Sequence, residues 1–388
     1  MKSAYNRQWV YNLAVIKEAK RWAKHDFIQA DQLNKIKEVY NTPFYHPNLI
    51  IRILLAVATL LALLGVTGLI FLFFSGTETK TIAVVSVLYG IISFVMLERF
   101  FIDNNHYKSG VTEALIYHGC GFTIGGIAAF GDMENTSLIL IISLLVFAFA
   151  AIRYLDLITT LAAMGSLAGF IFYQCYEADG IFREVIPFIF MIVFMVIYLV
   201  GKRYAHRIDL DLWHHNFLVV EAVSLLLIYA SGNYLVVREL SVQLMDLTLA
   251  DEMDIPFAFL FYFFTVVIPV VYLWVGIMRK DMVLLRVSLL VLAFTVFTFK
   301  YYYSLGHTEI TLTLAGTLLI LAAISLLHYL KNVRNGFTRD NLMSSKWANL
   351  NVEGFLISQT VGGNQSIKSE VAATSGGDSG GGGASSSF

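Results

Sequence analysis

Four ionisable side chains fall inside long apolar stretches of this 388-residue chain: Glu113, His118, Glu221 and Arg286. An ionisable group inside a bilayer is costly and by default marks a functional site. With a rise of ~1.5 Å per helical residue, His118, Glu221 and Arg286 lie roughly 7–12 Å below the predicted inner membrane boundary, and Glu113 is shallower. The chemistry that such a cluster could perform is proton or ion relay.

Two interpretations of these four residues stay open. In a relay, Glu221 carries the proton or ion and His118 titrates beside it. In a structural pair, Glu221 binds Arg286 and fixes helix packing, while His118 is only hydrogen-bonded. The structural pair is the preferred interpretation, because intramembrane charge pairs also serve assembly.

Other chemistry finds little support in the sequence. His206, His214 and His215 cluster without a carboxylate or thiolate at metal-ligand spacing. No Walker-type loop, nucleophile elbow or HExxH motif occurs. Cys120 and Cys175 lie at different predicted depths, so no disulfide is expected. The sequence therefore predicts no catalytic residues, no metal site and no cofactor, and an enzyme is the least favoured class.

The elements that must position the four residues are membrane-spanning helices. Hydrophobic residues make up 57% of the chain and charged residues 14%, against roughly 45–50% and 25% in soluble domains. The stretch 49–74 carries one charge, Arg52, and exceeds the ~20 residues that cross a bilayer. The predicted fold is an all-α polytopic transmembrane bundle of about ten spans. These spans are 49–74, 81–101, 111–130, 137–152, 155–175, 184–200, 213–234, 256–277, 281–301 and 309–330, of which the fourth and sixth are short.

The distribution of basic residues predicts the orientation of the spans. With a cytoplasmic N-terminus, all but four of the 27 basic residues fall on the inner side, as the positive-inside rule requires. The exceptions are Lys80, Arg183, Arg238 and Lys300. Both termini are therefore predicted to be cytoplasmic.

The segments outside the predicted transmembrane domain 49–330 are polar. Residues 1–48 show two amphipathic helical patterns separated near Asp26 to Ile28, which predicts a cytoplasmic helical hairpin. Residues 331–361 form a predicted juxtamembrane segment, and the Gly/Ser-rich tail 362–388 is predicted to be disordered. The partners implied are the lipid bilayer and a cytoplasmic protein bound by the hairpin or the tail. The net charge of −1 suggests no nucleic-acid partner.

Glycines are concentrated in the third predicted span. Gly121 and Gly125 there, and Gly165 and Gly169 in the fifth span, have the small-xxx-small spacing that favours close packing of helices.

A family resemblance rests on the N-terminal third of the chain. The stretch 21–40 carries Trp22, Ile28, Gln32, Ile36 and Tyr40, and an apolar span follows it. With the glycine-rich span EALIYHGCGFTIGGIAAFG, this order resembles predicted bacterial membrane proteins that have an N-terminal cytoplasmic hairpin before a domain of unknown function. The chain departs from that pattern after the first span, where it has SGTETKT and the family often has Asn-Trp. The resemblance implies a bacterial inner-membrane protein and brings no catalytic residues.

Two function classes are compatible with these features of the sequence. The first is a non-enzymatic scaffold or sensor whose hairpin and tail bind cytoplasmic partners. The alternative is a secondary transporter with a five-plus-five inverted repeat and a proton- or ion-linked site near Glu221.

Overall fold

The computed structural model describes residues 2–131, 133–178, 181–205, 207–244 and 254–302, with eight isolated positions between 313 and 328. Within these ranges the regular secondary structure is helical and no strand occurs. The predicted all-α class is therefore confirmed. The predicted juxtamembrane segment 331–361 and the tail 362–388 lie outside the described residues.

The described ranges contain twelve α-helices. In chain order they are α1 (Arg7–Lys24), α2 (Ala30–Val39), α3 (Leu49–Phe73), α4 (Thr79–Met96), α5 (Val111–Phe130), α6 (Thr136–Tyr154), α7 (Leu157–Glu177), α8 (Ile181–Ala205), α9 (His214–Gly232), α10 (Tyr234–Leu244), α11 (Ala258–Arg279) and α12 (Met282–Tyr302). A π-helical turn, Leu97–Ile102, extends α4, and a short 3-10 helix, Ile208–Trp213, precedes α9.

Eight of these helices are long and apolar enough to cross a membrane: α3, α4 with its π-helical turn, α6, α7, α8, α9, α11 and α12. The chain is therefore a multi-pass membrane protein. The predicted third span corresponds to α5, which is not among the eight, because Glu113, His118 and its four glycines lower its hydropathy. Most of the predicted tenth span, 309–330, lies outside the described residues.

The fourth and sixth spans are longer than predicted. Helix α6 has 19 residues and α8 has 25, whereas the predicted stretches 137–152 and 184–200 stop at the first charged residues. The helices continue through Arg153, Lys202 and Arg203, since these long basic side chains reach the membrane interface while their backbone stays helical.

The described residues divide into two compact units. The first comprises the described residues within 2–15, Tyr40–Pro47 and Ile51–Thr298, and the second comprises Ile16–Val39, Asn48–Ile50 and the described residues from Phe299 onward. In the second unit a turn follows α1, where Phe27 N donates to Trp22 O at 3.0 Å and Asp26 has φ 58°. The two predicted N-terminal helices are therefore present as α1 and α2, and their packing as a hairpin stays a prediction.

In the first unit, the contacts at the helix ends place α3 to α9 in alternating directions. The closest helix pairs are α4 with α5, α6 with α7 and α8 with α9, and all three turn at the same end. There, Trp213 Nε1 donates to Ile152 O at 2.9 Å, and ion pairs join Arg52 with Glu113 and Lys202 with Asp281. We call this the charged end. At the opposite end, Ser137 Oγ donates to Gln174 Oε1 at 2.7 Å between the start of α6 and the end of α7.

The contact between α4 and α5 depends on glycines other than the predicted ones. A Cβ on Gly90 would lie 2.5 Å from Thr123 Oγ1, and one on Gly126 would lie 2.8 Å from Ala83 O. Gly121 and Gly125 meet nothing within 4 Å, so the predicted small-xxx-small pair is wrong. Gly119 and Gly126 are two turns apart, and this stripe of α5, rather than the one through Gly121, faces α4.

Substituting one glycine on each of these two stripes tests this assignment. Gly126→Leu should lower the free energy of unfolding by ~1–3 kcal/mol, because the new side chain would overlap the backbone of α4. Gly121→Leu should be neutral or stabilising, since leucine is a better helix former than glycine by ~1 kcal/mol. Thermal unfolding of the purified variants in one detergent compares the two, and equal losses would contradict the assignment.

Candidate functional site

Glu113 lies at the start of α5, and both of its carboxylate oxygens have bonding partners. Its carboxylate pairs with Arg52 of α3, and Oε2 accepts hydrogen bonds from Gly110 N and Thr112 Oγ1, both at 2.8 Å. Gly110 has φ 94°, and a Cβ there would lie 2.0 Å from Arg52 O. Only glycine permits this approach. These contacts cap the start of α5 and connect it to α3.

Aromatic rings pack beside Glu113 at the charged end. Tyr5 packs edge-on against Tyr107 at 4.9 Å between centroids, and Phe44 stacks on Tyr107 at 5.0 Å. The backbone at Ala4 is anchored as well, since its N–H donates to Arg153 O at 2.8 Å. Burial, assisted by the negative charge of Glu113, raises the pKa of Tyr107 to about 12. Tyr107 is therefore neutral at physiological pH.

His118 lies farther along α5, in an aromatic setting. Ser93 Oγ lies 3.0 Å from Tyr89 O and 2.9 Å from His118 Nδ1, so this hydroxyl bridges the α4 backbone and the imidazole. The imidazole stacks on Phe122 at 4.3 Å and meets Tyr89 edge-on at 4.6 Å. Its Nε2 is buried without a partner among the described residues. No hydrogen bond or ion pair joins His118 to the other three predicted residues.

Glu221 is the buried acid of α9. It is 3% exposed, and it forms no hydrogen bond or ion pair with any residue that the structure describes. Ser224, one turn further along the same face, is fully buried and its Oγ also lacks a partner in this part of the chain. Gly201 of α8 lies close to this part of α9, since a Cβ there would lie 3.4 Å from Val220 Cγ1 and 3.8 Å from Glu221 Cγ. We call Glu221 and Ser224 the α9 polar pair.

The nearest charges to the α9 polar pair come from the charged end. Lys202 of α8 pairs with Asp281, and its Nζ also donates to Tyr198 OH at 3.2 Å. Asp281 caps α12 by accepting from Val283 N at 2.9 Å and Leu284 N at 3.1 Å. Lys202, Asp281 and His214 all lie within electrostatic range of Glu221.

The ionisation of Asp281 reflects these contacts. Burial opposes ionisation of the Asp281 carboxyl, but the bonds from Lys202 and from the two amides outweigh it, and the net effect places the pKa of Asp281 below its usual value. Asp281 is therefore an anion that holds Lys202 in place.

Arg286 is exposed on the surface of α12 and forms no ion pair with a described acid. The predicted Glu221–Arg286 pair is therefore not formed. Equal depth along two helices does not make two side chains face each other, and here the basic residues within electrostatic range of Glu221 are Lys202 of α8 and His214 of α9. Of the four predicted residues, three are buried but share no hydrogen bond or ion pair: Glu113, His118 and Glu221. Arg286 is exposed and is not part of a buried site.

No family model, curated protein or solved structure matches this chain.

Sequence reasoning missed Lys202, Asp281 and Ser224. Lys202 was counted only among the basic residues that set the orientation of the spans, and Asp281 is the first residue of the predicted ninth span, 281–301. Ser224 resembles many serines that bond to their own helix backbone. A usable signal was present, because Glu221 and Ser224 have the i, i+3 spacing that places them on one face of a helix.

The histidines near the start of α9 do not form a metal centre. His214 Nδ1 donates to Ala205 O at 3.1 Å, which is a structural bond between α8 and α9. Across the described ranges, no group of three or more His, Cys, Asp or Glu side chains could hold a metal ion.

A second buried polar group lies where α9 ends and α10 begins. Asn233, fully buried, donates from Nδ2 to Tyr229 OH at 2.8 Å and to Thr298 Oγ1 at 3.0 Å, and Oδ1 accepts from Val236 N at 3.2 Å. Both ends of its amide are therefore satisfied. This network fixes the break between two helices and offers no unpaired group to a ligand.

Proposed function

We propose that this protein is a secondary transporter in which Glu221 carries the coupling proton. The observation that supports this is the burial of Glu221 without a partner among the described residues. A charged acid at the centre of a membrane helix costs ~2.5–3.5 kcal/mol on insertion scales. The proposal assigns Glu221 its protonated, neutral form in this conformation, which avoids that cost.

A carrier needs two states, and the proposal assigns them to two alternative ion pairs of Lys202, one with Asp281 and one with Glu221. In the structure Lys202 pairs with Asp281, and the proposal combines this pairing with a neutral Glu221. When Glu221 releases its proton, its carboxylate competes with Asp281 for Lys202, so loading and unloading of the proton favour two different pairings. A transport cycle requires such a two-state element whose equilibrium the proton shifts.

The setting proposed for this cycle is the bacterial inner membrane, with both termini in the cytoplasm. The basic residues grouped at the charged end support this orientation. The five-plus-five inverted repeat stays a prediction. The three closest helix pairs turn at the same end, which fits a repeat of hairpins more directly.

Substituting Glu221 tests the proposal. The full-length protein is reconstituted into vesicles that contain a pH-sensitive dye, and a potassium diffusion potential drives protons inward. Glu221→Gln keeps the size and hydrogen-bonding capacity of the side chain but cannot exchange a proton, so we expect it to lower proton entry at least tenfold. The matched control is Glu78→Gln, at an exposed site that makes no side-chain cap, and it should behave as wild type.

A non-enzymatic scaffold or sensor is the second candidate function. The observation that favours it is the docking of the N-terminal residues against the charged end through Tyr5 and Ala4, which couples a cytoplasmic segment to the helices. Equal proton entry for wild type, for Glu221→Gln and for protein-free vesicles would overturn the transporter proposal in favour of this candidate.

A further inference from the structure

A cavity of about 380 Å³ lies in the first unit at the end opposite the charged end. Its walls come from α7, α8, α9, α10 and the segment that leads into α11. Ile186, Val237, Ile255 and Phe261 contribute buried apolar surface to it. The size falls within the ~300–1,000 Å³ typical of small-molecule sites.

Hydrogen bonds hold the wall between α10 and α11 in place. The Asp254 carboxylate accepts from Tyr234 OH of α10 at 2.7 Å and from Ile255 N at 2.8 Å. Tyr234 N in turn donates to Thr265 Oγ1 of α11 at 2.9 Å. The segment that carries Ile255 is therefore fastened to α10 and the cavity is preformed, which spares a ligand the cost of ordering it.

The polar side chains of the lining are few and carry no net charge. Twelve of the sixteen described lining residues are apolar, and the four others are Arg183, Glu184, Ser231 and Ser241. Ser231 Oγ donates to Leu227 O at 2.7 Å. Arg183 Nε donates to Tyr176 O at 3.0 Å, its guanidinium lies 4.3 Å from the Tyr176 ring centroid, and it makes a further interaction. Glu184, of opposite charge, lines the same cavity and is exposed.

An uncharged apolar molecule suits these walls better than water or an ion. A buried water needs two to four polar partners, and most of this lining has none to offer. A charged head of either sign would meet one attractive and one repulsive charge, so charge gives no net selection to offset its lost hydration. An apolar chain gains dispersion contacts with the walls and removes its own surface from water.

The cavity and the α9 polar pair share one helix. Leu227 and Ala230 of α9 line the cavity, and Leu227 is six residues beyond Glu221, a rise of ~9 Å. The buried Leu225 lies between them. A molecule in the cavity would therefore contact the helix that carries the titratable acid without touching the acid itself.

We propose that this cavity binds an uncharged apolar chain. The apolar walls take the chain, and neither charge of the lining selects it. That such a molecule is the transported substrate rests on the proposed function, whereas its binding does not. Two sources have this chemistry: a free neutral lipophile and the acyl chain of a bilayer lipid.

Photolabelling of the purified full-length protein in phosphatidylcholine nanodiscs tests the proposal. The probe is decanol with a diazirine at the end of its chain, and mass spectrometry locates the labelled residues. In wild type we expect label around Leu227 and Val237 that excess decanol lowers at least tenfold. Ala230→Trp fills the cavity and should abolish this label. Its control is Val196→Trp, at a position on α8 that is 54% exposed, which should be labelled as wild type.

Charged competitors and two further variants test the lack of charge selection. Arg183→Gln and Glu184→Gln should each change the decanol concentration for half-displacement by less than twofold. Decanoate and decylammonium, compared at equal concentrations in the bilayer, should displace the probe no better than decanol does. Better displacement by either ion than by decanol would show that a charge selects the ligand and would contradict the proposal.

A second probe identifies the source of the chain. Phosphatidylcholine with a diazirine at the end of one acyl chain replaces the nanodisc lipid. Label from this lipid around Leu227 and Val237 that persists in excess decanol identifies a bilayer lipid as the occupant. Label from the decanol probe that excess decanol removes identifies a free lipophile. Wild-type protein in which neither probe labels the cavity would overturn the proposal, whether or not Ala230→Trp folds.

The same measurements separate this inference from the proposed function. Glu221→Gln should be labelled in the cavity as wild type while losing proton entry. Normal labelling without any proton entry in wild type would refute the transporter and leave the binding site standing. Proton entry that depends on Glu221, without labelling of the cavity by either probe, would refute the binding site alone.

Discussion

Replacing Glu113 by alanine is expected to lower the free energy of unfolding by ~3–5 kcal/mol. The change leaves Arg52 without its partner inside the bundle and removes the acceptor of Gly110 N and Thr112 Oγ1, and breaking a buried ion pair from one side typically costs this much. The Arg52 side chain is 34% exposed, so the lower part of that range is expected. Chemical unfolding in detergent micelles measures the loss.

The double variant Arg52→Met, Glu113→Leu distinguishes the pair from its neighbours. Replacing both members with apolar groups leaves no uncompensated charge, and part of the stability should return. Glu134→Ala, at an exposed site, is the control and should change stability by less than ~0.5 kcal/mol. Losses in the double variant equal to the sum for Arg52→Met and Glu113→Leu would show that the two residues are not coupled.

Replacing Asp281 by asparagine is expected to have the second large effect, ~2–3 kcal/mol at neutral pH, the range for a hydrogen bond to a charged group together with a weakened cap. The variant loses the ionic bond to Lys202 and weakens the cap of α12. The pKa of Asp281 is lower in the folded protein than its ordinary value of 3.8. Its contribution to stability is therefore complete above that unfolded value and is lost as the pH falls through the lower, folded one.

Unfolding followed between pH 7 and pH 3 checks this sign. The free energy of unfolding of the wild type should decrease as the pH is lowered toward 3. For Asp281→Asn the decrease should be smaller, because this variant has already lost the contribution of the Asp281 carboxylate. Asp103→Asn, at an exposed position, should keep the wild-type profile. If the free energy of unfolding of Asp281→Asn decreases at low pH as steeply as that of the wild type, other carboxylates set the pH dependence.

Hydropathy determined most of the architecture in advance. A helix such as α3 is apolar on every side, and no other structure satisfies its backbone in a bilayer. The spans corresponding to α4, α6, α7, α8, α9, α11 and α12 were predictable for the same reason. Their ends were less so, because basic residues such as Lys202 remain in the helix when their side chains can reach the interface.

The sequence by itself determined that the protein is an all-α membrane protein and that Glu221 must be accommodated inside it. It could not decide which helix faces Glu221. Rise along a helix gives depth, but the rotation of each helix about its axis depends on packing against its neighbours. That packing turned Gly126 rather than Gly121 toward α4, exposed Arg286, paired Arg52 with Glu113, and left Glu221 near Lys202 without a bond between them. Only the tertiary structure determines these contacts, because residues far apart in the sequence come together only when the helices pack against one another.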